Sequence, residues 1–147
     1  MNFNNFTIKS QEAVQEAFEI AQGYNHQAIE PAHILKGVLE QTENITGYLL
    51  RKLGVNPSTF DAVLDRMLES YPKVSGGEPY LSSTSSKVLQ KAMEFSKGMG
   101  DQFVSIEHIL LGLITAGEQV GQMMKDAGMT EKEMKLAIAE LRKGAKV

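Results

Sequence analysis

The 147-residue chain contains no cysteine and no tryptophan. Without cysteine it has no disulfide, no thiolate metal site and no thiol nucleophile, which fits a cytoplasmic protein. Apolar runs are short, and none approaches the ~18 residues that a membrane-spanning helix requires. The opening Met1-Asn2-Phe3-Asn4-Asn5-Phe6 lacks the apolar core of a signal peptide. An excess of positive charge is also missing: 15 Lys and Arg stand against 18 Asp and Glu, for a net charge of −3. A nucleic-acid binder would carry a basic face to offset phosphate, so that class is excluded. The longest basic stretch, Leu141 to Lys146, reads as a helix C-terminus, where cations suit the dipole. No phosphate-binding loop, dinucleotide fingerprint, nucleophile elbow or H-E-x-x-H helix occurs. The chain therefore has no nucleotide site with which to hydrolyse ATP itself, and no catalytic or metal constellation that would make it a stand-alone hydrolase. What is present is an ordinary globular composition, 42% hydrophobic and 22% charged, at a length near one domain.

The strongest signal is internal. Residues 10–37 aligned with 85–112 give ten identities in 28 pairs, against about two expected by chance. The pairs include Gly23/Gly98, His33/His108, Ile34/Ile109, Leu35/Leu110 and Gly37/Gly112. One residue of slippage brings Gly54/Gly128, Phe60/Met134 and Leu64/Ile138 into register. A repeat this long holds several helices.

Within the first unit, Thr7 is placed to N-cap a helix whose apolar stripe is Ala13, Val14, Ala17, Phe18 and Ala21, with Gly23 as the stop. Glu30-Pro31 opens a second helix, with proline in the first turn where its missing N–H costs nothing. A short third helix spans about 45–53 to Gly54, and Asn56-Pro57 starts a fourth. The second unit repeats this order: a helix after the serine run at 82–86 ending at Gly98, one capped by Ser105, one near 118–127 stopping at Gly128, and one opened by Thr130 to Glu133 as a capping box. No strand pattern is evident. The prediction is an all-α fold of eight helices in two pseudo-twofold tandem four-helix repeats. They form one domain over 1–147, with repeat one about 7–70, a linker at 71–82 and repeat two about 83–144.

Few residues call for more than a structural role. His33 and His108 read either as a metal pair across the pseudo-twofold or as first-turn residues of equivalent helices; neither has a second ligand at i+3 or i+4, which favours the latter. Asp101 and Glu107 sit before and within the first turn of the sixth helix, near its positive end. Phe95, Leu111, Tyr80, Leu81, Met99 and Phe103 fall off the core stripes. They either pack the halves together, the better reading for Leu111, or expose an apolar groove for extended polypeptide. The halves agree at core positions and differ at Ala32/Glu107, His26/Asp101 and Ile20/Phe95, which places the contacts in the second half.

Three segments carry a family resemblance: Phe6-Thr7, Ile29-Glu30-Pro31-Ala32-His33-Ile34-Leu35, and Gly100-Asp101-Gln102-Phe103-Val104-Ser105-Ile106-Glu107-His108-Ile109-Leu110. Together they resemble the Clp repeat domain, the N-terminal domain of the Clp-family AAA+ unfoldases. The Tyr71-Pro72-Lys73-Val74 linker and Ile29-Glu30-Pro31 look most like the ClpB-type disaggregases. The likeness covers essentially the whole chain. It implies a substrate-binding module that recruits misfolded or aggregated polypeptide to a homohexameric ATPase, with the DnaK system as collaborator. Adaptor docking, as in ClpA and ClpC relatives, is the alternative. It further implies that ATP and magnesium belong only to ATPase modules outside this chain, to which Gly144 to Val147 would lead. Carried over residue by residue, it marks Thr7, Asp101 and Glu107 as polar positions in substrate handling, and Phe95 and His108 as lining the groove. Phe103 joins them as an apolar loop residue. In the ClpC relatives the second helix of both repeats carries Thr-Glu-His; here the first repeat has Pro31-Ala32-His33, so one of those two Glu residues is missing.

Overall fold

The computed structural model describes residues 2–41, 45–143 and 146–147. Gly144 and Ala145, at the end of the second predicted repeat and the start of the predicted onward linker, lie outside the described residues. Among the described residues eight helices run in the order α1 (Ile8–Gly23), α2 (Pro31–Leu39), α3 (Ile45–Lys52), α4 (Pro57–Glu69), α5 (Ser83–Gly98), α6 (Ile106–Ala116), α7 (Gln119–Asp126) and α8 (Glu131–Arg142). Among the described residues no helix is long and apolar enough to cross a membrane.

The caps follow the sequence. Thr7 Oγ1 accepts from the Ser10 N–H and Ser82 Oγ from the Ser85 N–H, each three residues on. Asn56 and Thr130 do the same for α4 and α8. The stops of α1 and α5 differ slightly from expectation. Gly23 and Gly98 are the last helical residues, and the chain turns two residues later at Asn25 and Gly100, both with positive φ. Each turn is a Schellman motif. The N–H of His26 donates to Ala21 O and that of Asn25 to Gln22 O. Asp101 donates to Ser96 O and Gly100 to Lys97 O in the same way. The motif thus delivers His26 and Asp101 to equivalent places.

Two short extended pieces, β1 (Ala28–Ile29) and β2 (Tyr80–Leu81), pair in parallel where the sequence showed no strand. Two residues are too few to leave an alternating pattern. Phe6 makes the matching parallel bridge to Val104. The segment leading into each half therefore lies along the first interhelical loop of the other half, which fastens the two halves to each other.

Helix α6 lies at the centre, against α5, α7 and α8 and also against α1, α2 and α3. Every residue from Ile106 to Ile114 is buried, Leu111 included. A helix apolar on all sides belongs inside. Truncating one of its large side chains, such as Leu110→Ala, costs about 2–5 kcal/mol.

Candidate functional site

The Schellman turn after α5 projects Asp101 onto the first turn of α6. There Ser105 is the N-cap and His108 reaches back to it, the Ser105 N–H donating to His108 Nδ1 at 2.8 Å. That bond fixes the tautomer: Nδ1 is the acceptor, so Nε2 carries the proton and donates to Asp101 Oδ2 at 2.7 Å. Arg142, the last residue of α8, completes the cluster. Its Nη1 donates to the same Asp101 oxygen at 2.7 Å and its Nε to Glu107 Oε2 at 2.9 Å.

The cluster is dry. His108 is fully buried, and Asp101 and Glu107 are buried with it. Burial alone would raise the Asp101 carboxyl. The N–H of Val147, the Arg142 guanidinium and His108 outweigh it, and Asp101 is held below the usual carboxylate range. Burial lowers the His108 imidazole, Asp101 opposes the shift and Arg142 adds to it, so the ring stays neutral near pH 7. Burial would lower Arg142 as well, but its bonds to Asp101 and Glu107 raise it.

This core holds an exposed rim. Ser96 Oγ donates to Phe103 O at 3.0 Å, and the Thr7 N–H donates to Val104 O at 3.0 Å while the Val104 N–H donates to Asn5 O at 2.8 Å. Pinned on both sides, Phe103 leaves 44% of its surface in solvent, and Ile8, next to Thr7, leaves 75%. Phe95, beside Ser96 on α5, is half-buried, with Lys91 Nζ 5.7 Å and Lys135 Nζ 5.1 Å from its ring centre.

The bonds above tie Asp101, Phe103, Glu107, His108 and, through Val104, Thr7 to one another, while Phe95 adjoins them only as the chain neighbour of Ser96; the six predicted positions take three roles. Asp101, Glu107 and His108 form the buried support, so His108 offers no surface to a groove. Thr7 caps α1, its hydroxyl bonded to Ser10, and its backbone belongs to the seam with Val104. Phe95 and Phe103 supply apolar surface. Sequence reasoning missed Arg142, read there as a cation at a helix end. The signal was available: at the spacing that aligns Leu64 with Ile138, Arg142 aligns with Leu68.

The first half builds the same scaffold without charge. The Glu30 N–H donates to His33 Nδ1 at 2.8 Å, and His33 Nε2 donates to His26 Nδ1 at 2.8 Å. His26 stacks on Tyr24 and packs with His33 against Tyr71. His33 and His108 thus serve as first-turn anchors in both halves. Among the described residues no group of three or more His, Cys, Asp or Glu is placed to hold a metal ion.

The profile of the family described as Clp repeat (R) N-terminal domain matches residues 5–127. The chain is 62% identical to a chaperone protein ClpB from Bacteroides thetaiotaomicron, over all of this chain and 17% of that protein. It is 47% identical to the ClpB of Porphyromonas gingivalis, again over all of this chain and 17% of the relative. The fold superimposes on the Hsp104 N-terminal domain from Candida albicans with a TM-score of 0.83 at 24% identity, covering 97% of this chain and 95% of that one. The chain thus spans about a sixth of the length of the ClpB relatives it matches, at 17%.

Proposed function

The chain belongs to the Clp repeat N-terminal domain family, and from that premise we propose that it is the substrate-recruiting module of a ClpB-type disaggregase. It captures exposed segments of misfolded or aggregated polypeptide and presents them to a homohexameric ATPase. ATP and magnesium act in that ATPase part, the DnaK system is the collaborating chaperone, and the compartment is the cytoplasm.

The observation that carries this reading is the presentation of Phe103. Its neighbours are tied to α1, α5, α6 and α8 by the bonds above, so the loop is held without burying the ring. An apolar side chain on a rigid loop loses little entropy on meeting a partner, which suits weak and repeated capture. Ile8, next to Thr7, is a further exposed apolar side chain, and the half-buried Phe95 has Lys91 and Lys135 beside its ring.

Titrating the domain with an unfolded casein-like chain while recording backbone amide shifts tests the reading. Perturbations grouped at Thr7, Phe95 and 101–105 are expected. An unperturbed spectrum at a saturating excess of the unfolded chain overturns the assignment.

A further inference from the structure

The repeat reverses charge at three aligned positions. Glu12 aligns with Lys87 and Glu16 with Lys91 at the spacing of 75, and Asp61 aligns with Lys135 at the spacing of 74. The acids lie on α1 and α4, the lysines on α5 and α8, and all six reach solvent.

Each set forms one patch. Glu12, Gln15, Glu16, Glu19, Glu40 and Gln41 line an open groove of about 340 Å³ between α1 and the end of α2. Glu40 leads on to Asp61 through Lys36, whose Nζ lies 3.6 Å from Glu40 and 2.9 Å from both Asp61 and Asp65. Lys36 is saturated by these three acids. Lys9 stands 3.9 Å from Glu12 and offsets little of the remainder. Burial, with Glu40 and Glu19 beside it, holds the Glu16 carboxyl above the ordinary carboxylate range. On the other half, the ammonium groups of Lys91 and Lys135 bracket the Phe95 ring at 5.7 and 5.1 Å. Lys87 stands one turn before Lys91 on the same face of α5. Glu94 and Glu131, at 3.8 and 2.8 Å from the lysines of their own helices, balance part of this charge.

We infer that the two patches are the two sides of a contact between copies of this chain, the acidic patch of one copy docking on the Phe95 patch of the next. Charge complementarity carries the pairing. Like charges one turn apart repel, as Glu12 and Glu16 do, and a lysine pair of the same spacing relieves them. Because the positions are aligned in a twofold repeat, the spacings match: α1 of one copy can run antiparallel to α5 of the next, with Glu12 opposite Lys91 and Glu16 opposite Lys87. The patches occupy different halves, so one copy can use both at once. Such a contact is heterologous and joins copies head to tail, closing a ring where the rotation allows. Exposed ion pairs are individually weak, so free domains associate at about millimolar concentration. Tethering copies in one assembly raises their effective concentration to that range. The contact covers the Phe95 patch but needs only a second copy, so it stands without the polypeptide-binding reading.

Charge reversal on one side at a time tests the pairing. Sedimentation equilibrium of the 147-residue chain at about 1 mM should show self-association in low salt that high salt abolishes. Glu12→Lys/Glu16→Lys carries lysine on both faces, and Lys87→Glu/Lys91→Glu carries glutamate on both. Each should associate with itself at least about tenfold more weakly than the parent, since like charges then meet. Mixed in equal amounts, the two variants should associate again, with amide shifts along α1 and α5. Amide spectra of the separate variants establish that both are folded. A parent chain that stays monomeric overturns the contact. Self-association undiminished in either variant places it on other surfaces and overturns it equally. A mixture that stays monomeric overturns the pairing of the two patches. If polylysine shifts the parent's α1 amides while the mixture stays monomeric, the acidic patch serves another basic partner, and the contact between copies is overturned.

Discussion

Leu68 and Arg142 are each the twelfth residue of their helices, α4 and α8, and one is fully buried among apolar side chains while the other holds two buried carboxylates. The exchange is concerted. Where the second half has Asp101, Glu107 and Arg142, the first has His26, Ala32 and Leu68. One half closes its core with an ion network and the other with an imidazole pair and methyl groups. The fold itself does not demand the ions. They belong to the second half alone, where Asp101 and Glu107 share the Arg142 guanidinium.

Arg142→Leu should therefore be costly by itself, since it strands two buried carboxylates; removing one partner of a buried pair costs about 3–5 kcal/mol. Adding Asp101→His and Glu107→Ala reproduces the first-half arrangement and should recover most of that loss. Urea denaturation of the single and triple variants checks this. A triple variant no more stable than Arg142→Leu would show that the halves are not interchangeable scaffolds.

Acid should weaken the domain across a defined window. Burial, reinforced by the neighbouring His26, lowers His33 from 6.5 to about 4. Between those values the unfolded chain takes up a proton that the folded one refuses, so stability rises with pH. The full contribution is present above about 6.5 and is gone below about 4; it amounts to roughly 3 kcal/mol. His26 and His108 are lowered in the same direction. Asp101, held low, contributes above the ordinary carboxylate range and loses its contribution as pH falls through its folded value. Melting temperatures from pH 4 to 7 should climb steeply, and His33→Gln should flatten the climb. An unchanged slope in that variant would place the titration elsewhere.

Gly37 and Gly112 should resist substitution for a shared reason. A Cβ on Gly37 would collide with the Ala13 carbonyl of α1, and one on Gly112 with the Val88 carbonyl of α5. Alanine at either position should cost about 1–3 kcal/mol, the range for overpacking a tight core. A Cβ on Gly23 or Gly98 would meet nothing within 4 Å, and both residues sit at helix ends. Alanine there should be neutral or stabilise by up to about 1 kcal/mol. Thermal melts of the four variants separate the two classes.

The helices were legible because the repeat supplied two readings of each boundary, and caps such as Thr7, Asn56 and Thr130 act within three residues of themselves. Gly37/Gly112 stood out as a pair, but the reason lay in a neighbouring helix. The site was legible only in part. Asp101, Glu107 and His108 fall within one turn of α6 and the loop before it. Their cation does not: Arg142 lies 35 residues from Glu107 and 41 from Asp101, at a helix end where a basic residue is ordinary by itself. The burial of His108 was equally hidden, because a polar residue in a first turn looks the same whether it meets water or a carboxylate.

That division of roles separates two variants that the sequence alone treats alike. Phe103→Ala removes exposed apolar surface and leaves the loop's backbone bonds in place, so the melting temperature should hold while affinity for an unfolded chain falls about tenfold, the scale of a contact worth about 1–2 kcal/mol. Glu107→Ala deprives Arg142 of one carboxylate inside the core, so it should lower stability first and binding only as a consequence. Binding isotherms measured beside thermal melts distinguish the two. Should Phe103→Ala bind as well as the parent while Glu107→Ala fails at temperatures where it remains folded, the recognition surface lies with the acid and not with the ring.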